Sequence, residues 1–373
     1  MGIASRIAER MGLHRDGSTF GLSALRSEER RRMWWQLQFM ELSVARLIGV
    51  LSLTIFASWD TKMPSNLEDS DFSPTTEVMP NERKGLTSIS PCLWRHSILQ
   101  RRRELLGKNN SGDMAWIMSP HLSLAEKDAK IDELEETLME RFLRHCELFN
   151  PLHIHMQIGI RLFILAARGN VRQPTLVHAK ISELLPQVRN DLLGICSKSL
   201  EYFVLSQTTP SISGFRWGND IFFQVSSCKY FDKAGRAKLI DLVVYVILEA
   251  HQRSGEPQVE DIWSLIGRVF ESHPDLMTAV NRPEVDFIAR ITVAAWQKYE
   301  IELRQQRSAI PGAIAIETPE WIRRLCHNFN LPLTDPSATT EEAAETFSSD
   351  PAQFLPENFD FDIIDWSAWE ALG

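Results

Sequence analysis

Residues 27–51 read SEERRRMWWQLQFMELSVARLIGVL, and this stretch decides the fold class. Its apolar side chains recur at alternating four- and three-residue intervals, at Met33, Leu37, Met40, Val44, Leu47 and Leu51. That spacing places them on one side of an α-helix and predicts one buried stripe. Glu28 and Glu29 fall in the first turn, where the helix dipole favours acids. We therefore expect a long amphipathic helix from Ser27 to Val50.

Helical periodicity continues through most of the chain. We expect further helices at 87–107, 123–146, 152–167, 175–207, 220–231, 234–253, 259–272, 284–306 and 319–329. The clearest of them opens with Ser123-Leu124-Ala125-Glu126, a capping-box pattern. No alternating strand pattern bounded by hairpin signals occurs. The sequence thus predicts an all-α fold, an irregular multi-helix domain with a long polar loop from Asp60 to Gly85.

Acidic and aromatic side chains are concentrated at the end of the sequence, where residues 354–373 read FLPENFDFDIIDWSAWEALG. Ten acidic residues occur from Asp335 onward, and no Lys or Arg follows Arg324. The remaining chain, with 40 basic and 39 acidic residues, is nearly neutral although the whole carries −9. Composition therefore predicts three parts: a helical domain at 1–330, a disordered linker at 331–353 and an acidic aromatic segment at 354–373.

The acidic aromatic segment also has a helical pattern. Phe359, Ile363, Trp366 and Trp369 follow a 4-3-3 spacing that lines one side of a helix, with acids between them. Amphipathic helices of this kind bind partner grooves through their apolar face. We expect these four residues to bind a partner protein. The alternative, a C-terminal helix that docks on its own domain, stays open.

Two sequence patterns resemble catalytic motifs without completing them. His14-Arg15-Asp16 resembles the kinase catalytic loop, but Gly21 stands where that loop needs a metal-binding Asn. Asp69-Ser70-Asp71 and Asn219-Asp220 invite comparison with the magnesium-binding carboxylates of all-α terpene cyclases, whose patterns they do not complete. Hard cations need several converging oxygen ligands. We expect neither chemistry.

Metal and cofactor binding are also not expected. His153 and His155 are two residues apart, so on a helix they point in nearly opposite directions; one should face solvent and the other pack. The five cysteines are scattered and form no C-x-x-C pair, at Cys92, Cys146, Cys196, Cys228 and Cys326. We predict no enzyme activity, no metal and no cofactor.

Three short basic clusters occur, at Arg30–Arg32, Arg101–Arg103 and Arg323–Arg324. We interpret each as a solvated helix face, with nuclear import as the functional alternative. Trp34-Trp35, beside the first cluster, should pack in the core. The longest apolar run, Leu47 to Trp59, is shorter than the roughly 18 residues of a membrane span, so no membrane partner is expected.

The segment from Ala4 to Ser18, read as A-x-x-I-A-x-x-M-G-L-H-R-D-G-S, resembles the middle homology region of fungal zinc-cluster transcription factors. Arg30-Arg31-Arg32-Met33-Trp34-Trp35 extends the resemblance. Residues 60–71, DTKMPSNLEDSD, are similar to the family's D-T-K-L-P-x-N-x-x-D-x-D loop, and Asn150-Pro151-Leu152-His153 also matches. The resemblance implies that Asp60–Pro64 holds a fixed conformation on the domain surface.

The family resemblance implies an all-α regulatory domain between an N-terminal zinc cluster that binds DNA and a C-terminal activation segment. This sequence lacks the six closely spaced cysteines of that cluster. We therefore expect DNA contact only indirectly, or through a missing N-terminal zinc cluster. We expect the sequence to be either a truncated gene model or a short form that regulates without binding DNA.

The functional prediction is a nuclear transcriptional regulator of a fungal biosynthetic or metabolic pathway. Its acidic segment would recruit the transcription machinery or a co-activator, and its body would form a homodimer or a heterodimer with a related factor. The alternative is a sensor or modulator that does not bind DNA and acts on a full-length partner transcription factor.

Overall fold

A computed structural model of the chain describes residues 2–47, 59–109, 122–178, 185–216, 237–308 and 317–333. Within those ranges the regular structure consists of helices and no strand occurs, which confirms the all-α prediction. The α-helices are α1 (Gly2–Arg10), α2 (Ala24–Leu47), α3 (Ser90–Asn109), α4 (Leu124–Arg141), α5 (Pro151–His178), α6 (Pro186–Thr208), α7 (Ala237–Gln252), α8 (Val259–Ser272), α9 (Asp275–Thr278), α10 (Pro283–Ser308) and α11 (Glu320–Phe329). In the described part, no helix has the length and apolarity to span a bilayer.

Local sequence signals explain where several helices begin. The predicted capping box is present at α4: the Ser123 hydroxyl accepts from the Glu126 amide, and the Glu126 carboxylate accepts from the Ser123 amide. The Asn150 side chain caps α5 by accepting from the Leu152 amide at 3.0 Å, with Pro151 at the first helical position. The family motif at 150–153 is therefore a helix start.

The predicted single helix at 175–207 is wrong. α5 extends to His178, and α6 begins at Pro186, which has no amide hydrogen and follows Leu185 in a non-helical conformation (ψ 136°). Proline restricts the residue before it to extended backbone, so a helix could not continue through Leu185.

The helix predicted at 220–231 lies outside the described residues, as do nearly all of the predicted linker and the whole acidic aromatic segment. The three-part division of the chain stays a prediction.

The helix predicted from residue 27 exists as α2, but its buried side differs from the predicted one. Met33 and Met40 are 49% and 47% exposed. The buried side instead carries aromatic and polar residues: Ser27, Glu28, Arg31, Trp34, Trp35 and Gln38. These positions also follow a three- and four-residue spacing. The predicted helical period was therefore correct, but the predicted buried side of the helix was wrong. The buried charges are tolerated because Asp16 pairs with Arg31, and Arg32 of the same helix pairs with Glu28.

The described residues fall into two compact units, the first drawn from Met1–Ala167 and the second from Arg168 onward. Tryptophans form the centre of the first unit. Trp59 makes edge contacts with Trp34 and Trp35, with ring centroids 5.8 and 5.2 Å apart. Leu99 of α3 and Ala8 of α1 complete this cluster. Trp34 and Trp35 therefore pack in the core, as predicted.

The core of the second unit lies among α6, α7, α8, α10 and α11. Trp263 of α8 packs edge-on against Trp296 of α10 at 5.2 Å. The Trp321 ring of α11 stacks on Phe270 at 5.4 Å. This packing needs a glycine in α8, because a Cβ on Gly267 would lie 2.7 Å from the Trp321 Nε1 atom.

We predict that Gly267→Ala lowers the free energy of unfolding by about 1–3 kcal/mol, since the methyl group would displace the Trp321 ring. Urea unfolding followed by tryptophan fluorescence measures the change. Gly194→Ala is the matched control: Gly194 lies within α6 with no neighbour within 4 Å. There the substitution should be neutral or stabilise by up to about 1 kcal/mol. Equal effects of the two substitutions would contradict the packing account.

Candidate functional site

Asp16 lies at the centre of a buried polar network in the first unit and is 1% exposed. Its carboxylate accepts hydrogen bonds from Nε and Nη2 of Arg31, both at 2.8 Å. It also accepts from the Ser18 amide and hydroxyl at 3.1 and 2.6 Å, and from the Lys62 amide at 2.9 Å. Burial acts to raise the pKa of Asp16, but the bonds from Arg31, Ser18 and Lys62 outweigh it and hold the pKa well below its usual range. Asp16 is therefore an ionised, fully engaged carboxylate.

Glu28 is the second buried carboxylate of the network. It accepts from Arg32 Nε at 3.0 Å and from the Ser65 amide at 3.2 Å. Burial raises the pKa of Glu28, and the bonds from Arg32 and Ser65 oppose that rise. Arg32 also donates to Asp69 at 2.6 Å and to the Leu67 carbonyl at 3.3 Å. Glu28 and Arg32 thus attach the middle of the long loop to α2.

The first residues of that loop, 60–64, are attached to the segment that follows α1. The Asp60 amide donates to the His14 carbonyl at 3.1 Å. The Thr61 hydroxyl donates to the Leu13 carbonyl at 2.7 Å, and Thr61 is buried. These bonds attach Asp60 and Thr61 to the segment after α1, and the fixed surface conformation that the family resemblance implied for Asp60–Pro64 stays a prediction.

Side-chain bonds also hold the remainder of the loop. Trp35 Nε1 donates to the Lys62 carbonyl at 2.8 Å. The Asn66 amide group donates to the Gly85 carbonyl at 2.7 Å, while its oxygen accepts from the Thr87 hydroxyl at 2.7 Å. The loop therefore has few regular backbone bonds yet is tied at its start, middle and end.

The prediction of a solvated face for Arg30–Arg32 is wrong. Arg31 is 6% exposed, and Arg30 Nη2 donates to the carbonyls of Met11 and Gly12 at 3.1 and 2.5 Å. Guanidinium groups can occupy a buried helix face when each has carboxylate or carbonyl acceptors. Arg323–Arg324 on α11 is exposed, as predicted. The side chains of Arg101–Arg103 lie outside the described residues.

Three of the carboxylates that resembled catalytic motifs, Asp16, Asp69 and Asp71, serve as ion-pair partners, whereas Asn219-Asp220 lies outside the described residues. Asp16 of the His-Arg-Asp triplet is held by Arg31. Asp69 pairs with Arg32 and Asp71 with Arg83, so neither converges with other oxygens on a cation position. In the part of the chain that the structure describes, no group of three or more His, Cys, Asp or Glu side chains could hold a metal ion.

The two histidines at the start of α5 behave as predicted. His155 is buried, and burial, with the nearby Arg95 charge, lowers its pKa to about 4. His153 remains partly exposed and accepts from the Glu147 amide through Nδ1 at 3.1 Å. The predicted partner-binding residues Phe359, Ile363, Trp366 and Trp369 lie outside the described residues, and their role stays a prediction.

Sequence reasoning missed the Asp16–Arg31 and Glu28–Ser65 contacts. A usable signal was present, because Arg31 precedes Trp34 and Trp35 by three and four residues and therefore shares their side of the helix. A buried arginine on the tryptophan side of a helix requires carboxylate or carbonyl acceptors, and for Arg31 the acceptor is a carboxylate. Only the fold could show that this carboxylate is Asp16.

Residues 1–140 match the family model described as the fungal specific transcription factor domain. The match confirms the resemblance predicted from sequence and includes all the residues of the Asp16 network. No solved structure matches the chain.

The curated relatives are fungal regulators. Over 314 residues the chain is 26% identical to the aurofusarin cluster transcription factor aurR2 of Gibberella zeae, covering 83% of this chain and 44% of that protein. It is 24% identical over 332 residues to the pyriculol/pyriculariol biosynthesis cluster transcription factor 1 of Pyricularia oryzae, covering 87% and 41%. A 160-residue stretch is 35% identical to the uncharacterized transcriptional regulatory protein C139.03 of Schizosaccharomyces pombe, covering 43% and 24%. The chain spans about two fifths of the length of the first two relatives.

We predict that Asp16→Asn destabilises the protein by about 3–5 kcal/mol, because it leaves the buried Arg31 guanidinium without a counter-charge. Asp69→Asn is the matched control. Its carboxylate also pairs with an arginine of α2 but is 86% exposed, and such pairs are worth about 1 kcal/mol or less. The midpoint of urea unfolding, followed by tryptophan fluorescence, compares the two variants. A cost for Asp16→Asn no larger than that of Asp69→Asn would contradict the central role of Asp16.

Proposed function

We propose that this chain is a transcriptional regulator of a fungal biosynthetic or metabolic pathway and that it acts in the nucleus. The observation that carries the proposal is the match of residues 1–140 to the fungal specific transcription factor domain. The names of the relatives agree with it, since two of those described above are transcription factors of biosynthetic clusters. In the described residues, the buried carboxylates with ion-pair partners hold the fold together and are not free to act on a substrate.

Recruitment of the transcription machinery or a co-activator is assigned to residues 354–373. A helix in this segment would place Phe359, Ile363, Trp366 and Trp369 along one side, with Asp362, Asp365 and Glu370 between or opposite them. Carboxylates keep such a segment soluble until a groove on a co-activator or on the transcription machinery binds its aromatic side. Large aromatic side chains supply most of the binding energy in interfaces of this type.

DNA targeting is assigned to association with a related factor or to an N-terminal zinc cluster that lies outside this sequence. The five cysteines of this sequence are scattered and offer no six-cysteine zinc cluster. A heterodimer of the helical body with a DNA-binding relative would bring the acidic segment to a promoter, as would a homodimer of chains that carry the zinc cluster.

The test is a fusion of residues 331–373 to an unrelated DNA-binding domain, with reporter transcription in a fungal host as the measurement. We expect the fusion to activate the reporter and the Trp366→Ala/Trp369→Ala double substitution to abolish activation, because it removes the two largest apolar contacts. An inactive fusion, or activation that survives the double substitution, would contradict this assignment and favour the alternative of a modulator acting on a full-length partner.

Two adjacent isoleucines provide a matched control for the helical face. In the proposed helix, Ile363 would lie on the binding side and Ile364 on the opposite side. Ile363→Ala should reduce activation several-fold, and Ile364→Ala should leave it nearly unchanged. Equal loss in both variants would show that overall apolarity, and not a helical face, drives recruitment.

A further inference from the structure

The first unit exposes large apolar side chains on both α1 and α2. On α1 and the turn directly after it, Ile3, Ile7 and Met11 recur at four-residue spacing and are 73%, 53% and 56% exposed. On α2, Met33 and Met40 are about half exposed. Single exposed apolar residues are normal in proteins, but a contiguous group of this size marks an interaction site.

The two sets of exposed residues belong to one surface because α1 runs antiparallel along α2. The end of α1 meets the start of α2, where Arg30 Nη2 donates to the Met11 and Gly12 carbonyls. At the opposite end, the Glu41 carboxyl of α2 lies beside Ser5 of α1. The helices therefore lie side by side over about two turns of α1.

The buried positions show which sides of the two helices face outward. Ser5 and Ala8 of α1 are buried, which directs Ile3, Ile7 and Met11 away from the core. Trp34, Trp35 and Gln38 occupy the core side of α2, which directs Met33 and Met40 to the opposite side, while Leu37 is partly buried against the tryptophan cluster. We call the outer surface formed by Ile3, Ile7, Met11, Met33 and Met40 the α1–α2 face.

Positive charge borders the α1–α2 face. Arg6 and Arg10 follow Ile3 and Ile7 by three residues each, are exposed, and form no ion pair within the described part of the chain. Arg26 at the start of α2 is 72% exposed and pairs with Glu29 at 2.9 Å. The edge of the face formed by α1 therefore carries two uncompensated cations. An occupant with carboxylates beside its apolar groups would complement them.

We propose that the α1–α2 face binds an acidic amphipathic helix of another protein. The apolar residues extend over about 12 Å along α1, which matches two to three turns of a bound helix. Its apolar side would contact the isoleucines and methionines, and its acids would reach Arg6 and Arg10. Methionine side chains adapt their shape to different partners, which suits a surface that binds a helix through apolar contact.

Fluorescence polarisation with the full chain tests this proposal. The probe is a fluorescein-labelled synthetic 20-residue helix with Leu on one side and Glu elsewhere, compared with a twin carrying Lys in place of Glu. We expect the Glu probe to bind at least about tenfold more tightly than the Lys probe. Ile7→Ser/Met33→Ser should weaken binding of the Glu probe about tenfold or more, and Arg6→Glu/Arg10→Glu should remove the preference for Glu over Lys.

The variants use exposed positions, so folding should not change, and circular dichroism checks this. Val78→Ser is the matched control, because Val78 is 81% exposed in the long loop, away from α1 and α2 in sequence. It should leave binding unchanged. No saturable binding of the Glu probe, equal binding of both probes, or an equal loss with Val78→Ser would overturn the proposal. A dimer in analytical ultracentrifugation that Ile7→Ser/Met33→Ser dissociates would also overturn it, since a second copy would then be the occupant.

Discussion

The buried ion pair between Asp16 and Arg31 is the interaction on which the first unit depends. Moving two charges out of water costs several kcal/mol each, and the cost is recovered only when the geometry is good and the remaining acceptor sites are filled. Here the guanidinium donates two parallel bonds, and Ser18 and Lys62 donate the others. One carboxylate thereby joins the segment after α1, the third turn of α2 and the start of the long loop.

This arrangement explains why the helix that decides the fold carries charges on its core side. An apolar stripe could pack α2 against any apolar surface. Arg31 is stable only beside a segment that places a carboxylate within reach of its guanidinium group. Glu28 works in the same way, since its bonds to Arg32 and Ser65 fix a second point of the loop. The polar residues specify which segments pack together, and the tryptophans supply the buried area.

Sequence patterns predicted the helical class and many helix bounds. The capping box at Ser123 and the helix at 259–272 were confirmed because these signals are local. The buried side of α2 was predicted wrongly because methionine is more hydrophobic than arginine, so Met33 was expected to be buried and Arg31 exposed. The ion pair with Asp16, which the sequence does not show, makes burial of Arg31 possible. The break before Pro186 was missed although proline itself indicates it. The partner-binding residues at 359–369 lie beyond the described residues and rest on composition and spacing.

Asp16 and Arg31 together hold the long loop on α2. Hydrogen–deuterium exchange of residues 60–67 in Arg31→Gln measures this most directly, because the Lys62 amide donates to the Asp16 carboxylate. Without the guanidinium, exchange across 60–67 should rise at least about tenfold, while exchange in α8 of the second unit stays unchanged. Unaltered protection of residues 60–67 in this variant would contradict the account.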